Sequence, residues 1–325
     1  MKLLEVNNLV VKYDVEVVRN ISYYVKKGEI VCIVGESGSG KSTSILAILG
    51  LLGNKADGRI YFDKKDISPI YKNKKEFIEY EKNMKNIRGN KVSYIFQNPI
   101  SYLNPLLNIG EQISETIRTH KDYTKKEALK RTKELLNQLE ISNKRMKQYP
   151  HELSGGILQR VLIAIALSCE PKLIIADEPT SSLDVTIQAQ ILNIIKEETE
   201  KRNMSAIIVT HDLGIALQLC QRIIIMYAGK IIEEGKVENI FKSPKHPYTL
   251  GLLDSVKSIN QDDRLKTIEG KPPDFFNLPK GCAFVSRCKY AMKICKYYEP
   301  PEKFFDLEHR CFCWLYLKEW VKNFD

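Results

Sequence analysis

The sequence lacks any hydrophobic run long enough to cross a membrane as a helix, which takes roughly 18 to 20 apolar residues. The longest candidate, VLIAIALSC at 161–169, is followed directly by Glu170 and Pro171. The start, MKLLEVNNLVVKY, lacks the basic stretch, apolar run and cleavage site of a secretory signal. We therefore expect a cytoplasmic chain that acts on a membrane only through a partner.

The most basic segment, 118–147, lacks the series of aromatic residues that a nucleic-acid surface places among its positive charges. It holds ten Lys or Arg against four Asp or Glu, and together with segment 63–91 it accounts for the net charge of +10. Within it, TKKEALKRTKELLNQLE predicts a solvated amphipathic helix with Thr124 and Glu127 as a capping box. We therefore expect no nucleic-acid partner.

Close cysteine pairs, the usual mark of a zinc site, are missing from GCAFVSRCKYAMKIC at 281–295. Nevertheless five of the eight cysteines fall within residues 282–313. In a cytoplasmic chain such a cluster favours metal ligands or redox groups over disulfides. We interpret the three cysteines inside apolar strand or helix patterns as small buried hydrophobes: Cys32, Cys169 and Cys220.

The apolar runs predict a largely parallel sheet covered by helices on both faces. GEIVCIVG leads into a glycine-rich loop, a helix is expected over 41–52, and further strands are predicted at 92–96, 173–176 and 206–209. Residues 1–34 alternate short β-rich runs with turns. About 75 residues without a convincing strand separate the second and third runs, so we predict an inserted helical subdomain at about 99–165.

After residue 240 the composition of the sequence changes. The stretches SPKHPYT and GKPPDFFNLPKG contain prolines and turn-forming residues and show no regular hydrophobic periodicity. We therefore predict a nucleotide-binding domain over 1–250 and a small C-terminal extension over 251–325.

GESGSGKS at 35–42 matches the P-loop pattern in the strand-to-helix context that the motif requires. Its glycines let backbone N–H groups curve around phosphates without Cβ clashes. Lys41 is expected to reach the β- and γ-phosphates, and Ser42 to bind Mg²⁺ through its hydroxyl. The predicted ATP-binding residues of the loop are Gly35, Ser37, Gly38, Gly40, Lys41, Ser42 and Thr43.

LIIADE at 173–178 is an apolar strand that ends in two acids. We expect Asp177 to hold Mg²⁺ through its water shell and Glu178 to act as the general base on the attacking water.

Five motifs in one order resemble the ATP-binding subunits of ABC transporters over about residues 1–250. Besides the P-loop and LIIADE they are IFQNP with Gln97, LSGGILQR at 153–160 and IIVTHD with His211. The resemblance implies an α/β fold, a P-loop NTPase ABC cassette. It has a mainly parallel sheet core, an N-terminal antiparallel β part and an inserted helical subdomain, here followed by a small Cys-rich extension.

The same resemblance implies roles for single residues. Tyr13 would stack on adenine, Gln97 would sense Mg²⁺, and His211 would contact the γ-phosphate. Gln97 and His211 join Glu178 in the expected catalytic set, and Gln97 joins Ser42 and Asp177 in the expected magnesium set.

LSGG places three residues at the start of a helix whose N-terminus attracts anions, namely Ser154, Gly155 and Gly156. One chain cannot bring this site to its own P-loop. The resemblance implies a head-to-tail dimer with ATP between the subunits, across which Asp184 would signal.

KHPYTLGLL at 245–253 and the cysteine-rich tail resemble the oligopeptide and dipeptide importer branch. In that branch the tail holds a [4Fe-4S] cluster, for which Cys282, Cys288 and Cys295 match the pattern. Cys313 is favoured as the fourth ligand and Cys311 is the alternative, while zinc is the rival metal.

By this resemblance the chain hydrolyses ATP to power import of dipeptides or oligopeptides. Its partners are a second, non-identical ABC ATPase subunit, two membrane-spanning permease subunits and an extracytoplasmic solute-binding protein, which place it on the cytoplasmic face of the membrane. Alternatives are the same machinery importing nickel or another small solute, and a soluble ABC ATPase of nucleic-acid or iron–sulfur metabolism. A non-enzymatic, nucleotide-gated scaffold would be expected to lack the catalytic acid. Because Glu178 is present, this alternative is disfavoured.

Overall fold

The computed structural model describes residues 1–181, 183–259 and 268–317 of the chain. These residues form two compact units. The first unit comprises Met1–Leu3, Val25–Glu29 and Tyr71–Ile208, and the second comprises Leu4–Tyr24, Ile30–Ile70 and the chain from Val209 onward. Parts of the predicted extension, 260–267 and 318–325, lie outside the described residues.

The strands in the described residues range from two to eleven residues. They are β1 (Lys2–Lys12), β2 (Glu16–Lys26), β3 (Ile30–Val34), β4 (Ala56–Phe62), β5 (Lys65–Asp66), β6 (Val92–Ile95), β7 (Leu173–Asp177), β8 (Ser205–Thr210), β9 (Arg222–Tyr227), β10 (Lys230–Lys236), β11 (Glu302–Phe304) and β12 (Arg310–Phe312). Of these, β3, β7, β8 and β9 are fully buried.

The helices in the same residues are α1 (Lys41–Ile48), α2 (Lys74–Lys85), α3 (Pro99–Tyr102), α4 (Ile109–His120), α5 (Lys125–Gln138), α6 (Gly155–Leu167), α7 (Val185–Lys201), α8 (Leu213–Leu219), α9 (Val237–Lys242), α10 (Pro247–Ile259) and α11 (Ile294–Tyr297). None of them is long and apolar enough to cross a membrane, a finding that covers the described residues only.

The second unit contains an antiparallel β layer and the strand that carries the P-loop. β1 pairs antiparallel with β4, and β4 with β5. β3 pairs parallel with β9, whose six residues are all buried, and β9 continues antiparallel to β10. Fully buried apolar strands of this kind need cover on both faces, so the predicted α/β class with an antiparallel N-terminal part is confirmed.

The tail adds strands to the same unit. β12 pairs antiparallel with β10, placing Cys311 opposite Glu233, and β11 pairs with β12. The Glu233 carboxylate is fully buried and accepts hydrogen bonds from the backbone N–H groups of Lys245 and His246. His309 Nε2 lies 2.8 Å from the same carboxylate. Through this one carboxylate, β10 contacts both the start of the HPYT segment (residues 246–249) and the last part of the tail.

In the first unit β6 and β7 pair in parallel, with Val92 opposite Leu173 and Ile95 opposite Ala176. The described chain between these strands consists of α3 to α6 and short turns, as the apolar spacing predicts. α5 begins with the predicted capping box, because Thr124 and Glu127 each bond the other's backbone. The division of the chain at residue 250 and the subdomain limits 99–165 stay predictions.

Two expectations need correction. The helix after the P-loop ends at Ile48 rather than Leu52, because Gly50 has a φ of 63°, a left-handed conformation that ends helices. Cys32 and Cys220 are buried, as expected, but not as two separate residues, because they form a disulfide. Their Cα atoms lie 6.0 Å apart because α8, which ends just before Cys220, packs on β3. Cys169 is buried with a free thiol, as expected.

Candidate functional site

The P-loop follows β3, whose five residues are all buried. Gly38 and Gly40 have φ values of 80° and 95°, which side-chain-bearing residues rarely adopt. A Cβ on Gly35 would lie 2.2 Å from the Met226 carbonyl oxygen. The loop therefore needs its glycines for both backbone conformation and close packing.

Lys41 points back into this loop. Its Nζ donates hydrogen bonds to the carbonyl oxygens of Gly35 at 2.7 Å and Glu36 at 2.9 Å, and the residue is 5% exposed. Gly40 caps α1 without a side-chain hydrogen bond, so no side chain of the cap competes for the N–H groups of the first turn. Ser42 is exposed at this helix start. A glycine-rich loop followed by a helix start is the kind of arrangement that binds anions, and phosphate binding by these residues stays a prediction.

Two other predicted residues of the second unit are exposed. Tyr13 follows β1 and is 42% exposed, with Lys55 Nζ 4.5 Å from its ring centroid. His211 follows β8 and is also exposed, while the next residue, Asp212, caps α8 by accepting from the Gly214 N–H. Their contacts with a nucleotide stay predictions.

The first unit holds the acid pair at the end of β7. Asp177 is 7% exposed and accepts a hydrogen bond from the Tyr94 hydroxyl at 2.8 Å. Burial, and then the nearby Asp177 charge, raise the pKa of Tyr94 well above its ordinary value, so this hydroxyl keeps its proton. Sequence reasoning missed Tyr94; its phenol group within the predicted strand VSYIF was the available signal.

Glu178 is brought together with Gln97, as the family pattern implies. The Gln97 Nε2 donates to Glu178 Oε2 at 2.9 Å. Glu178 has a φ of 43°, uncommon for a residue with a side chain and typical of functional positions. An amide that donates to the carboxylate fixes its orientation.

The LSGG segment begins α6 as predicted. Ser154 is the N-cap residue, but its side chain makes no cap hydrogen bond, and both Ser154 and Gly155 are exposed. They line an open groove of about 730 Å³ together with Gly156, Asp184 and Ile187. This volume lies within the range of small-molecule sites. Asp184 also caps α7, accepting from the Ile187 N–H at 3.0 Å.

Four tail cysteines share one small cavity in the second unit. Cys282, Cys288, Cys295 and Cys313 line it together with apolar side chains such as Val285 and Trp314. Cys311 does not line it and is buried on β12 instead.

Burial disfavours the thiolate form of two of these cysteines. Burial, reinforced by the neighbouring thiols, raises the pKa of Cys282 to about 11 and that of Cys313 to about 12. Within the described residues no group of three or more His, Cys, Asp or Glu is arranged to hold a metal ion. The predicted [4Fe-4S] cluster is therefore not confirmed, although a thiol set of the right size surrounds an apolar cavity.

Two families match the chain. Residues 18–181 match the ABC transporter family, a range that contains the P-loop and Asp177. Residues 232–295 match the C-terminal region of oligopeptide/dipeptide transporters, a range that contains three of the four cavity cysteines.

Curated relatives are similar over nearly the whole chain. The oligopeptide transport ATP-binding protein AppD of Bacillus subtilis is 46% identical over 329 residues, covering 98% of each chain. The dipeptide transport ATP-binding protein DppD of the same organism is 44% identical, covering 97% of this chain and 95% of that protein. Among solved structures, the dimeric ATP-binding cassette MJ0796 bound to ADP and Pi aligns with a TM-score of 0.64 and 29% identity, over 72% of this chain and 98% of that one.

Proposed function

Because the chain belongs to the ABC transporter family, in its oligopeptide/dipeptide branch, we propose that it is the ATPase subunit that powers import of dipeptides or oligopeptides. The carrying observation is the acid pair, in which Gln97 orients Glu178 directly after the buried Asp177. An ATP-hydrolysing cassette needs a positioned base beside a magnesium-holding acid. The peptide cargo follows from the matched C-terminal region and from the two relatives.

The site residues are assigned to nucleotide binding, magnesium binding and general-base catalysis according to their side-chain chemistry. Lys41 and the backbone N–H groups of the P-loop bind the phosphates, and Tyr13 stacks on adenine. Ser42, Gln97 and Asp177 hold Mg²⁺, which when bound neutralises charge on the phosphates. Glu178 accepts the proton of the attacking water.

The exposed LSGG helix start supports a dimeric arrangement. A helix N-terminus whose capping side chain is unused is suited to an anion from outside the chain. We assign Ser154, Gly155 and Gly156 to the ATP of a second cassette, Asp184 to signalling across that dimer, and His211 to the γ-phosphate. The further partners are two permease subunits and an extracytoplasmic solute-binding protein, with this chain at the cytoplasmic face of the membrane.

We also propose a [4Fe-4S] cluster on Cys282, Cys288, Cys295 and Cys313. A cubane takes four thiolates, one for each iron, so its ligands surround a volume instead of converging on one ion. The shared cavity supports this reading, and Cys313, not Cys311, lines it. A tetrahedral zinc site brings all four sulfurs within about 2.3 Å of one ion, whereas these four residues line the wall of a shared cavity. The cluster would then hold together a tail that has a small core of its own.

The test is uptake by cells that depend on this chain. Cells carrying the wild-type protein or Glu178→Gln receive a labelled dipeptide, a labelled longer peptide or nickel. Selective loss of peptide uptake in the variant supports the proposal. Selective loss of nickel uptake assigns the same machinery to a small solute, and unchanged uptake of all three contradicts a transport role.

A further inference from the structure

The P-loop, which is proposed to bind the phosphates of ATP, contains an acidic residue, Glu36. Glu36 occupies a position that the P-loop pattern leaves open, so the motif itself does not explain it. Its carbonyl oxygen accepts from Lys41 Nζ, which places its backbone within the phosphate-binding loop. An uncompensated carboxylate at this position would repel the phosphates of ATP.

A tail residue neutralises this acid. Arg287 donates from Nη1 to Glu36 Oε2 at 2.8 Å and from Nη2 to Glu36 Oε1 at 3.0 Å. The Arg287 side chain is 5% exposed and that of Glu36 is 24% exposed. This two-pronged pairing of a planar guanidinium with a carboxylate is the strongest geometry available to an ion pair.

Arg287 is itself held in place. Its Nε donates to the Glu269 carbonyl oxygen at 3.0 Å, and Nη2 donates to the Ile268 carbonyl oxygen at 3.2 Å. Nη1 also donates to the Tyr227 hydroxyl at 3.2 Å. The ion pair is therefore preorganised before a nucleotide binds.

Tyr248 of the HPYT segment contacts the backbone of the same P-loop residue, Glu36. The Glu36 N–H donates to the hydroxyl of Tyr248, which is fully buried. The Tyr248 ring packs against Phe284, with centroids 5.4 Å apart, and Phe284 lies in the loop between Cys282 and Cys288. Both parts of the tail thus converge on Glu36.

We propose that Arg287 is a positioning residue for ATP binding: it neutralises Glu36 and binds its carboxylate to the tail, so that the C-terminal region sets the ATP affinity of the P-loop. The inference rests on the proposed ATPase function, but not on the iron–sulfur cluster. The proposal predicts different effects on ATP affinity when each of the two partners is replaced. Removing Arg287 leaves a bare negative charge in the loop, whereas removing the Glu36 charge leaves none.

The test measures equilibrium binding of a fluorescent ATP analogue and of its ADP counterpart, with Mg²⁺, to the full chain. The variants are Arg287→Met, Glu36→Gln and the double variant, with Lys289→Met as the control because Lys289 is an exposed cation two residues from Arg287. We expect Arg287→Met to weaken ATP binding about tenfold, ADP binding less, and both defects to shrink at high salt. Glu36→Gln alone binds at least as tightly as the wild type.

The double variant separates electrostatics from folding. Glu36→Gln added to Arg287→Met restores ATP affinity to within about twofold of the wild type, which a merely structural role of Arg287 would not allow. If Arg287→Met does not fold, Arg287→Lys serves instead, because it keeps the positive charge but loses the second contact to the carboxylate. We expect it to weaken ATP binding only about threefold, and Glu36→Gln to restore that loss as well.

Two results overturn the inference while leaving the proposed function standing. These are ATP affinity unchanged in Arg287→Met, and a defect that Glu36→Gln does not relieve. If instead the wild-type chain binds no ATP, or Lys41→Ala binds it as well as the wild type, the proposed function fails first.

Discussion

The hydroxyl of Tyr94 on β6 donates a hydrogen bond to Asp177 Oδ2 at the end of β7, 2.8 Å away. The two residues are 83 positions apart in the chain, and the parallel pairing of β6 with β7 brings them together. Because burial and Asp177 raise the pKa of Tyr94, the hydroxyl donates throughout the physiological range. Tyr94 therefore fixes the orientation of the carboxylate that is proposed to hold magnesium.

Tyr94→Phe tests this orienting role. Loss of one hydrogen bond to a charged group leaves the strand packing intact but the Asp177 carboxylate less well oriented. We expect the Mg²⁺ concentration for half-maximal ATPase activity to rise about three- to tenfold. Titration of Mg²⁺ at fixed ATP measures it, with Tyr123→Phe, an exposed tyrosine, as the control. An unchanged magnesium requirement would remove Tyr94 from the account.

Gln97→Ala removes the amide that orients Glu178. The carboxylate then samples orientations that do not face the water, so turnover is expected to fall about tenfold, while ATP affinity measured without Mg²⁺ stays within twofold. Single-turnover hydrolysis and equilibrium ATP binding, measured on the same preparation, separate the two effects. Equal losses in binding and turnover would mean that Gln97 acts on the nucleotide itself.

Two neighbouring cysteines form a matched pair for the cluster. Cys313 lines the shared cavity and Cys311 does not, although they are two residues apart on the tail. In anaerobically purified protein, Cys313→Ser is expected to lose iron and acid-labile sulfide, and Cys311→Ser to keep both. Stoichiometric zinc without sulfide in the wild-type protein contradicts the cluster, and loss in both variants contradicts the choice of Cys313.

Acid should loosen the attachment of the tail through His246. Burial lowers the pKa of His246 from 6.5 to about 4, and the nearby Glu233 charge only partly opposes this. The unfolded chain therefore takes up the proton first, so this residue's contribution to stability is complete above about pH 6.5 and is lost as the pH falls towards 4. His246 Nδ1 also accepts from the Tyr248 N–H, which requires the neutral ring.

The measurement is the urea midpoint of the wild type and of His246→Gln between pH 7.5 and 4.5. We expect the wild-type midpoint to fall more steeply below pH 6.5, because the variant has no group to protonate at that position. Parallel curves would show that the acid response does not depend on His246.

The local parts of the fold and site could be predicted from the sequence. β3 and β7 are buried on both faces, so their apolar runs stand out, and the P-loop needs glycine for its backbone conformation. Glu178 follows from its place after such a strand. In each case the information lies within a few neighbouring residues.

The contacts that were missed join distant parts of the chain. Arg287 and Glu36 are 251 residues apart, and the disulfide joins Cys32 to Cys220 across 188 residues. Such pairs depend on which elements pack together, which periodicity does not specify. The family resemblance favoured Cys313 over Cys311, and Cys313 lines the same cavity as Cys282, Cys288 and Cys295. That these four residues hold a cluster stays a prediction.

The most direct test of the central claim is ATP turnover and ATP binding by Glu178→Gln in the assembled transporter. The amide keeps the shape of the side chain but cannot take a proton, so turnover is expected to fall about 10²- to 10⁴-fold while ATP still binds. Turnover equal to that of the wild type would contradict the proposal, because the acid pair at the end of β7 would then not carry the catalytic base.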